Sequence, residues 1–246
     1  GLGLSNSFIA KISDTVCVSF PSTQKTLKHP HIVLTGNPLR QDIFNVKEKI
    51  SHTKNLPVIY ITGGSTGSHV INMTISQCIH ELLKQYVVIH QTGENEFGDY
   101  ELLSELKKNL PVDMQDRYIV EKYIYPSQIG YVYSVATLVI GRSGANTILE
   151  LIACNKPSIL IPLPHGQTGE QLKNAKLIES LGLGEILEQK NLQSTTLYEM
   201  VTKMISGIEK YHVTQDIIKK YVFDDAAARI VQELTAQYEK KKNPEK

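Results

Sequence analysis

Several features that mark common protein classes are absent from this sequence of 246 residues. Its three cysteines form no C-x-x-C pair and lie in separate apolar runs, a pattern typical of buried thiols in a reducing, cytoplasmic compartment. Lysine and arginine total 26 against 25 acidic residues, so no excess of positive charge indicates electrostatic binding of nucleic acid. No apolar run reaches about 18 residues, and we therefore expect no helix that crosses a bilayer.

What the sequence does contain is a regular alternation of two patterns. The 41% hydrophobic composition is enough for one large domain, or for one domain with part of a second. From Val58 onward, β-forming apolar runs alternate with amphipathic helical stretches; Ile71, Ile75, Cys78 and Leu82, for example, lie on one helical face. This alternation predicts an α/β fold, a Rossmann-like parallel sheet with helices on both faces.

Helix ends can also be predicted from capping patterns. We expect Asn146 and Thr147 to cap the helix after a second glycine-bearing turn, Gly141-Arg142-Ser143-Gly144. A helix is predicted from Glu170 to about Ser180, and Thr196 has capping-box spacing to Glu199, which predicts another helix beginning there.

The run from Val58 to Thr62 breaks into Gly63-Gly64-Ser65-Thr66-Gly67, which resembles a phosphate cradle. Adjacent glycines let the backbone approach a ligand, and the first amides of the following helix point into the loop. The loop lacks the lysine of a P-loop and the Gly-x-Gly-x-x-Gly spacing of dinucleotide folds, which argues against an ATPase and an NAD enzyme. A tight strand-to-helix turn without a ligand is the alternative interpretation.

The two ends of the chain differ from its middle. Residues 1–39 contain two short apolar runs and a turn or hinge signal at Gly36-Asn37-Pro38, too little for a core of their own. The first residue is glycine, and we expect the chain to be a fragment, a processed product or one half of a split protein. Near the other end, Ala227, Ile230, Val231 and Leu234 predict a helix with an apolar face to dock, and residues 241–246 are expected to be disordered.

Five motifs, taken together, resemble the MurG family of peptidoglycan N-acetylglucosaminyltransferases, from about Gly3 to Ile230. They are Gly36-Asn37-Pro38-Leu39-Arg40, Gly63 to Gly67, His90-Gln91-Thr92-Gly93, Arg142-Ser143-Gly144-Ala145 followed by Glu150, and Pro162 to Asn174 with Gln171. The family has the GT-B architecture, two Rossmann-like domains that face each other across a cleft. The resemblance covers the second domain and the last segment of the first.

The resemblance implies a domain organisation and an activity. Residues 1–39 would end the acceptor domain, 40–212 would form the UDP-sugar donor domain, and 213–240 would pack back toward the acceptor domain. The activity would be inverting, metal-independent transfer of GlcNAc from UDP-GlcNAc to a lipid-linked muramoyl-pentapeptide, lipid I to lipid II. No cofactor is implied. The intact enzyme would attach peripherally to the cytoplasmic face of the cell membrane.

The resemblance also implies roles for particular residues. Gly64, Ser65 and Arg40 would bind the diphosphate, whose charge backbone amides would also neutralise. Glu150 would accept hydrogen bonds from the ribose and Ile124 would contact uracil. The remaining predicted contacts are the helix start at Ala145, Asn146 and Thr147, Gln171 on the GlcNAc, and His165 on the sugar.

Each role has a simpler alternative. Arg40 would then be a surface ion-pair residue, Glu150 a solvated helix residue, Gln171 an ordinary helix residue and Ile124 a core residue. His90, which ends a strand, is expected to be a satisfied histidine and not a base.

The sequence departs from the family pattern in places. Thr66 and Ser68 replace the usual Gln and Ala, the segment Tyr125-Pro126-Ser127 carries about two extra residues near the uracil contact, and the loop from His165 to Glu170 is one residue longer. The glycine-rich, histidine-bearing loop of the first domain, where the general base is expected, is absent, so catalytic residues stay unassigned. We therefore expect this chain to bind donor without turnover.

Two further hypotheses stay open. One is another GT-B enzyme acting on a UDP-sugar, either a glycolipid glycosyltransferase or a UDP-GlcNAc 2-epimerase, since function lies in the site and not in the fold. The other is a non-catalytic donor-binding subunit that works with a partner chain.

Overall fold

The computed structural model of the protein describes residues 4–52, 55–164 and 169–242. The chain divides into two compact units. We call the first the terminal unit; it comprises Gly1–Arg40, His165–Glu170 and Thr214–Lys246. The second, the sheet unit, comprises Gln41–Pro164 and Gln171–Val213.

Strands and helices alternate along most of the described chain. The strands are β1 (Val16–Val18), β2 (Ile32–Leu34), β3 (Val58–Thr62), β4 (Val87–Gln91), β5 (Tyr118–Glu121), β6 (Ala136–Gly141), β7 (Ser158–Leu160) and β8 (Gly184–Ile186). The α-helices are α1 (Leu4–Ala10), α2 (Pro21–Thr26), α3 (His69–Leu83), α4 (Asp99–Lys108), α5 (Val112–Gln115), α6 (Pro126–Val135), α7 (Ala145–Ala153), α8 (Glu170–Ser180), α9 (Ser194–Ser206), α10 (Gln215–Tyr221) and α11 (Ala226–Lys242). Short 3-10 helices span Gln41–Phe44, Gln189–Asn191 and Ile208–Lys210.

The sheet unit is built on a six-stranded parallel sheet in the order β5-β4-β3-β6-β7-β8. Counted from β3 as the first strand, this is the 3-2-1-4-5-6 order of doubly wound folds. The strand order reverses between β3 and β6, whose last residues, Thr62 and Gly141, are paired. The predicted parallel α/β fold is confirmed.

Every residue of β3 is buried because helices cover both faces of this sheet. Ile59 and Ile61 belong to one apolar cluster with side chains of α3 and α9. Tyr60, on the opposite face, contacts the ring of Tyr133 in α6. The predicted apolar face of α3 is buried along its whole length, as the spacing of its apolar residues requires.

Some predicted details are wrong. Asn146 and Thr147 do not cap α7; its N-cap is Gly144, because the backbone is still extended there, and the two residues lie in the first turn. Helix α9 begins at Ser194, so Thr196 is its third residue, and its Oγ1 accepts the N–H of Gln193 at 3.1 Å. α8 spans the predicted residues.

The cysteines are only partly as expected. Cys78, in α3, is buried, and burial raises the pKa of its thiol to about 11. Cys154 is partly exposed and Cys17, in β1, is exposed. The prediction that all three thiols are buried is therefore wrong for Cys17, which lies in a strand with a partner on one side only in the described structure.

The terminal unit contains the parallel pair of β1 and β2 with helices around it. Glu233 of α11 pairs with His31 at 3.2 Å, and Lys241 pairs with Asp14 at 2.8 Å. The helix continues to Lys242, two residues into the segment predicted to be disordered, and residues 243–246 lie outside the described structure. Of the predicted apolar face, Val231 and Leu234 are exposed. None of the described helices is long and apolar enough to cross a membrane.

Candidate functional site

The loop after β3 has the backbone geometry that only glycine adopts readily. Gly64 and Gly67 have φ values of +89° and +73°. A Cβ on Gly67 would lie 1.8 Å from the carbonyl oxygen of Thr92, so the loop packs directly on the end of β4. A Cβ on Gly64 would meet no described atom within 4 Å, which leaves its outer side open to a ligand. Ser65 is exposed beside it.

The loop after β6 starts beside the loop after β3, because Thr62 and Gly141 are paired neighbours. Ala145 and Asn146 are exposed at the start of α7, and neither α3 nor α7 has a side-chain hydrogen bond at its N-cap. First-turn amides of both helices thus lie at the carboxyl edge of the sheet. In doubly wound folds, ligands bind at the point where the strand order reverses.

Arg142 connects the ends of several strands. Its Nη2 donates to Ser68 Oγ at 2.8 Å and to Gln189 Oε1 at 2.7 Å, and its Nη1 donates to the carbonyl of Ile161 at 2.9 Å. The guanidinium has no carboxylate partner among the described residues, and burial lowers its pKa. Ser68 Oγ therefore accepts from Arg142 instead of capping α3. Arg142 lies in one of the five motifs but was assigned no role from the sequence; a cation inside a strand-to-helix turn was the available signal.

Glu150 lies in the second turn of α7 and is 7% exposed. Its Oε2 accepts a hydrogen bond from the hydroxyl of Tyr133 at 2.8 Å. Burial, followed by the charge of Glu150, raises the pKa of Tyr133 well above its ordinary value, so this tyrosine stays a donor. The alternative that Glu150 is a solvated helix residue is wrong. Tyr133 is not identifiable as a partner of Glu150 from the sequence alone.

Gln171 and Ile124 are held by different elements of the sheet unit. Gln171 is the second residue of α8; its Oε1 accepts the N–H of Leu163 at 3.0 Å and its carbonyl accepts Ser143 Oγ at 2.7 Å. These bonds join the loop after β7 to the loop after β6. Ile124 follows β5 and is 8% exposed, with exposed Tyr125 next to it.

The structure thus brings one group of predicted site residues to the carboxyl edge of the sheet. That group contains Gly64, Ser65, Ala145, Asn146, Thr147, Glu150 and Gln171, all in the sheet unit. Arg40 is exposed and is the last residue of the terminal unit's first segment. His165 lies outside the described residues.

A buried polar network supports the base of the β3 loop. Nδ2 of Asn72 donates to the carboxylate of Asp99 at 2.7 Å and to the carbonyl of Thr92 at 3.0 Å. Its Oδ1 therefore accepts from His90 Nε2 at 3.0 Å, and His90 Nδ1 accepts from the hydroxyl of Tyr118, also at 3.0 Å. Burial lowers the pKa of His90 to about 3. His90 is a satisfied core histidine, as expected.

Metal ligands are not clustered in the ranges that the structure describes. No group of three or more His, Cys, Asp or Glu side chains there is arranged to hold an ion.

Comparison with known proteins identifies the family. A family model described as "Glycosyltransferase family 28 C-terminal domain" matches residues 58–230. The chain belongs to this family. It is 36% identical over 215 residues to the UDP-N-acetylglucosamine--N-acetylmuramyl-(pentapeptide) pyrophosphoryl-undecaprenol N-acetylglucosamine transferase of Clostridium perfringens, covering 85% of this chain and 57% of that protein. The transferase of the same name from Clostridium kluyveri is 33% identical over 237 residues, covering 93% of this chain and 62% of that protein.

A solved structure shares the fold of this chain. The crystal structure of Acinetobacter baumannii MurG matches with a TM-score of 0.66 at 21% identity, covering 96% of this chain and 64% of that one. This likeness supports the GT-B fold. The chain spans about three fifths of the length of the curated relatives it matches, 57% and 62% in the two clostridial proteins.

Proposed function

We propose that the sheet unit binds UDP-GlcNAc as the donor half of a peptidoglycan N-acetylglucosaminyltransferase. The observation that carries this proposal is the buried carboxylate of Glu150, placed on the helix that starts at the second of two neighbouring strand-to-helix loops. The loops offer uncapped first-turn amides to an anion, and the carboxylate offers acceptors to a diol. The names of the clostridial relatives support the same donor.

In this proposal each part of the donor has its own protein groups. The diphosphate lies on Gly64, Ser65 and the first turn of α7, from Ala145 to Thr147, with Arg40 as an added cation. The ribose lies on Glu150 and the uracil on Ile124. Gln171 contacts the GlcNAc and His165 the sugar. Backbone dipoles and side chains neutralise the leaving diphosphate, so no metal is required.

The rest of the reaction needs more than this chain. We propose an inverting transfer from UDP-GlcNAc to a lipid-linked muramoyl-pentapeptide, lipid I to lipid II, with the general base in an acceptor domain. Residues 1–39 would end that domain, 40–212 would form the donor domain and 213–240 would pack toward the acceptor domain. Exposed apolar side chains in the terminal unit, including Phe8, Ile12 and Leu234, support such packing. Because the acceptor is a lipid, the intact enzyme would attach to the cytoplasmic face of the membrane.

The proposal is tested by calorimetric titration of the 246-residue chain with UDP-GlcNAc, UDP-glucose and NAD, with and without EDTA. We expect saturable binding of UDP-GlcNAc that EDTA does not change, weaker binding of UDP-glucose and none of NAD. Glu150→Ala and Ser65→Ala should weaken binding, whereas Glu199→Ala, at an exposed position in α9, should not. Equal binding by Glu150→Ala and the parent chain would contradict the proposal, as would a requirement for a divalent metal.

A further inference from the structure

Two buried tyrosines meet beneath the two loops of the site. Tyr60, in the central strand β3, and Tyr133, in α6, are each 2% exposed. Their rings are 5.9 Å apart at 81°, an edge-to-face contact. The two hydroxyls bind different partners, and each partner belongs to a different part of the site.

The hydroxyl of Tyr133 is bound to the carboxylate of Glu150. The donor–acceptor distance to Oε2 is 2.8 Å, and both side chains are buried. A hydrogen bond to a charged acceptor is stronger and more directional than a neutral one. Because one carboxylate oxygen is held in this way, the rotation of the carboxylate plane is restricted.

The hydroxyl of Tyr60 acts on the β3 loop through one intermediate. It donates to Gln91 Oε1 at 2.8 Å, and Nε2 of the same amide donates to the carbonyl of Gly64 at 3.2 Å. Gly64 has φ of +89° and an amide N–H that donates to Thr62 Oγ1 at 3.1 Å. The carbonyl and the amide of Gly64 are therefore both anchored, which fixes the peptide planes that face the ligand.

We propose that Tyr133 and Tyr60 are positioning residues for the two halves of the nucleotide. This inference rests on the proposed function. Tyr133 orients Glu150 toward the ribose hydroxyls, and Tyr60, through Gln91, holds Gly64 in the diphosphate loop. Neither tyrosine touches the ligand. Since the two hydroxyls bind different acceptors, removal of one hydroxyl weakens recognition of one half of the ligand and leaves the other half bound as before.

The experiment compares Tyr133→Phe and Tyr60→Phe in the full 246-residue chain, since each substitution removes one oxygen and keeps the ring. Dissociation constants are measured for UDP, 2′,3′-dideoxyuridine diphosphate and uridine. We define the ribose ratio as the dissociation constant of the dideoxy compound divided by the dissociation constant of UDP. The diphosphate ratio is the dissociation constant of uridine divided by the dissociation constant of UDP. Tyr211→Phe is the matched control, because it removes a partly buried hydroxyl of the sheet unit that donates to Glu185 of β8 instead.

We expect Tyr133→Phe to lower the ribose ratio about fivefold to tenfold, the equivalent of one ordinary hydrogen bond, and to leave the diphosphate ratio unchanged. Tyr60→Phe should lower the diphosphate ratio about fivefold and leave the ribose ratio unchanged. Tyr211→Phe should change neither ratio. Because each ratio compares two ligands on the same protein, partial unfolding of a variant cancels from it.

Different outcomes overturn different claims. If the parent chain binds UDP with both preferences and the two variants keep both ratios, the positioning roles are refuted and the proposed function stands. Equal falls of both ratios in each variant would mean that each tyrosine shapes both halves of the site, which also refutes the division of roles. If the parent chain binds none of the three ligands, the proposed function is overturned and the positioning roles with it.

Discussion

Replacing His90 by glutamine shows how much of the pH dependence of the free energy of unfolding is due to His90. His90 is fully buried, and its ring nitrogens are bound to Asn72 and to the hydroxyl of Tyr118. An amide also offers one donor and one acceptor, so the hydrogen bonds have a substitute. Glutamine cannot take up a proton in this range. The comparison therefore reports the cost of keeping His90 neutral.

The magnitude follows from proton linkage. The pKa of His90 is lowered by burial from 6.5 to about 3 in the folded state. Below pH 6.5 the unfolded chain binds a proton that the folded chain does not, so the free energy of unfolding falls as pH falls, by about 1.4 kcal/mol per pH unit. The loss begins near the unfolded value and continues until the folded value is reached. Between pH 7.5 and 4.5 it amounts to about 2.5 kcal/mol.

The assay is urea unfolding at several pH values between about 7.5 and 4.5. The chain has no tryptophan, so circular dichroism and tyrosine fluorescence are the probes, and their coincidence tests two-state behaviour. We expect His90→Gln to lose about 2.5 kcal/mol less than the parent chain over this interval. His80→Gln, at an exposed position of α3, is the control and should follow the parent. Equal losses for the parent and His90→Gln would refute the reasoning.

Three further substitutions test other parts of the structure. Gly67→Ala should destabilise the chain by at least about 2 kcal/mol more than Gly182→Ala. Both glycines have positive φ, but only a Cβ at position 67 would lie against a backbone carbonyl. Urea unfolding measures the difference, and similar urea midpoints for the two variants would contradict this prediction. Arg142→Lys should lower the free energy of unfolding by about 2 kcal/mol, since a lysine cannot reach three acceptors as a guanidinium does. The control, Arg229→Lys in α11, should change the free energy of unfolding little. Equal losses for the two variants would contradict the bridging role of Arg142. Leu234→Gln should shift the free energy of unfolding by no more than about 0.5 kcal/mol, because Leu234 is 65% exposed. A loss of several times that amount would show that Leu234 is buried in solution.

The alternation of helices and strands was readable from the sequence because each pattern depends on residues close together in the chain. The buried face of α3 follows directly from the periodicity of its apolar residues, and α8 spans the residues predicted for it. Strand order was not readable, since the pairing of Thr62 with Gly141 depends on contacts between distant segments. The start of α7 was misplaced because the extended backbone of Gly144, and no side chain, sets the cap.

The candidate site was predictable at the level of loops and single residues. Paired glycines identify the β3 loop, and Glu150 stands at a spacing that brings it into the second turn of α7. The side chains that support the site were not predictable. Arg142 reaches Ser68 across 74 positions of sequence, and the hydroxyl of Tyr133 reaches Glu150 across 17. Such partners become visible only when the sheet brings β3, β6 and their helices together.

We propose that the nucleotide binds where the strand order reverses, between the loops after β3 and β6. An NMR titration of the isotope-labelled chain with UDP, followed through its backbone amides, tests this location. We expect the largest shifts in residues 63–68 and 144–150, with small shifts in α9 and α11. Shifts concentrated in α9 or α11, with the two loops unchanged, would contradict it.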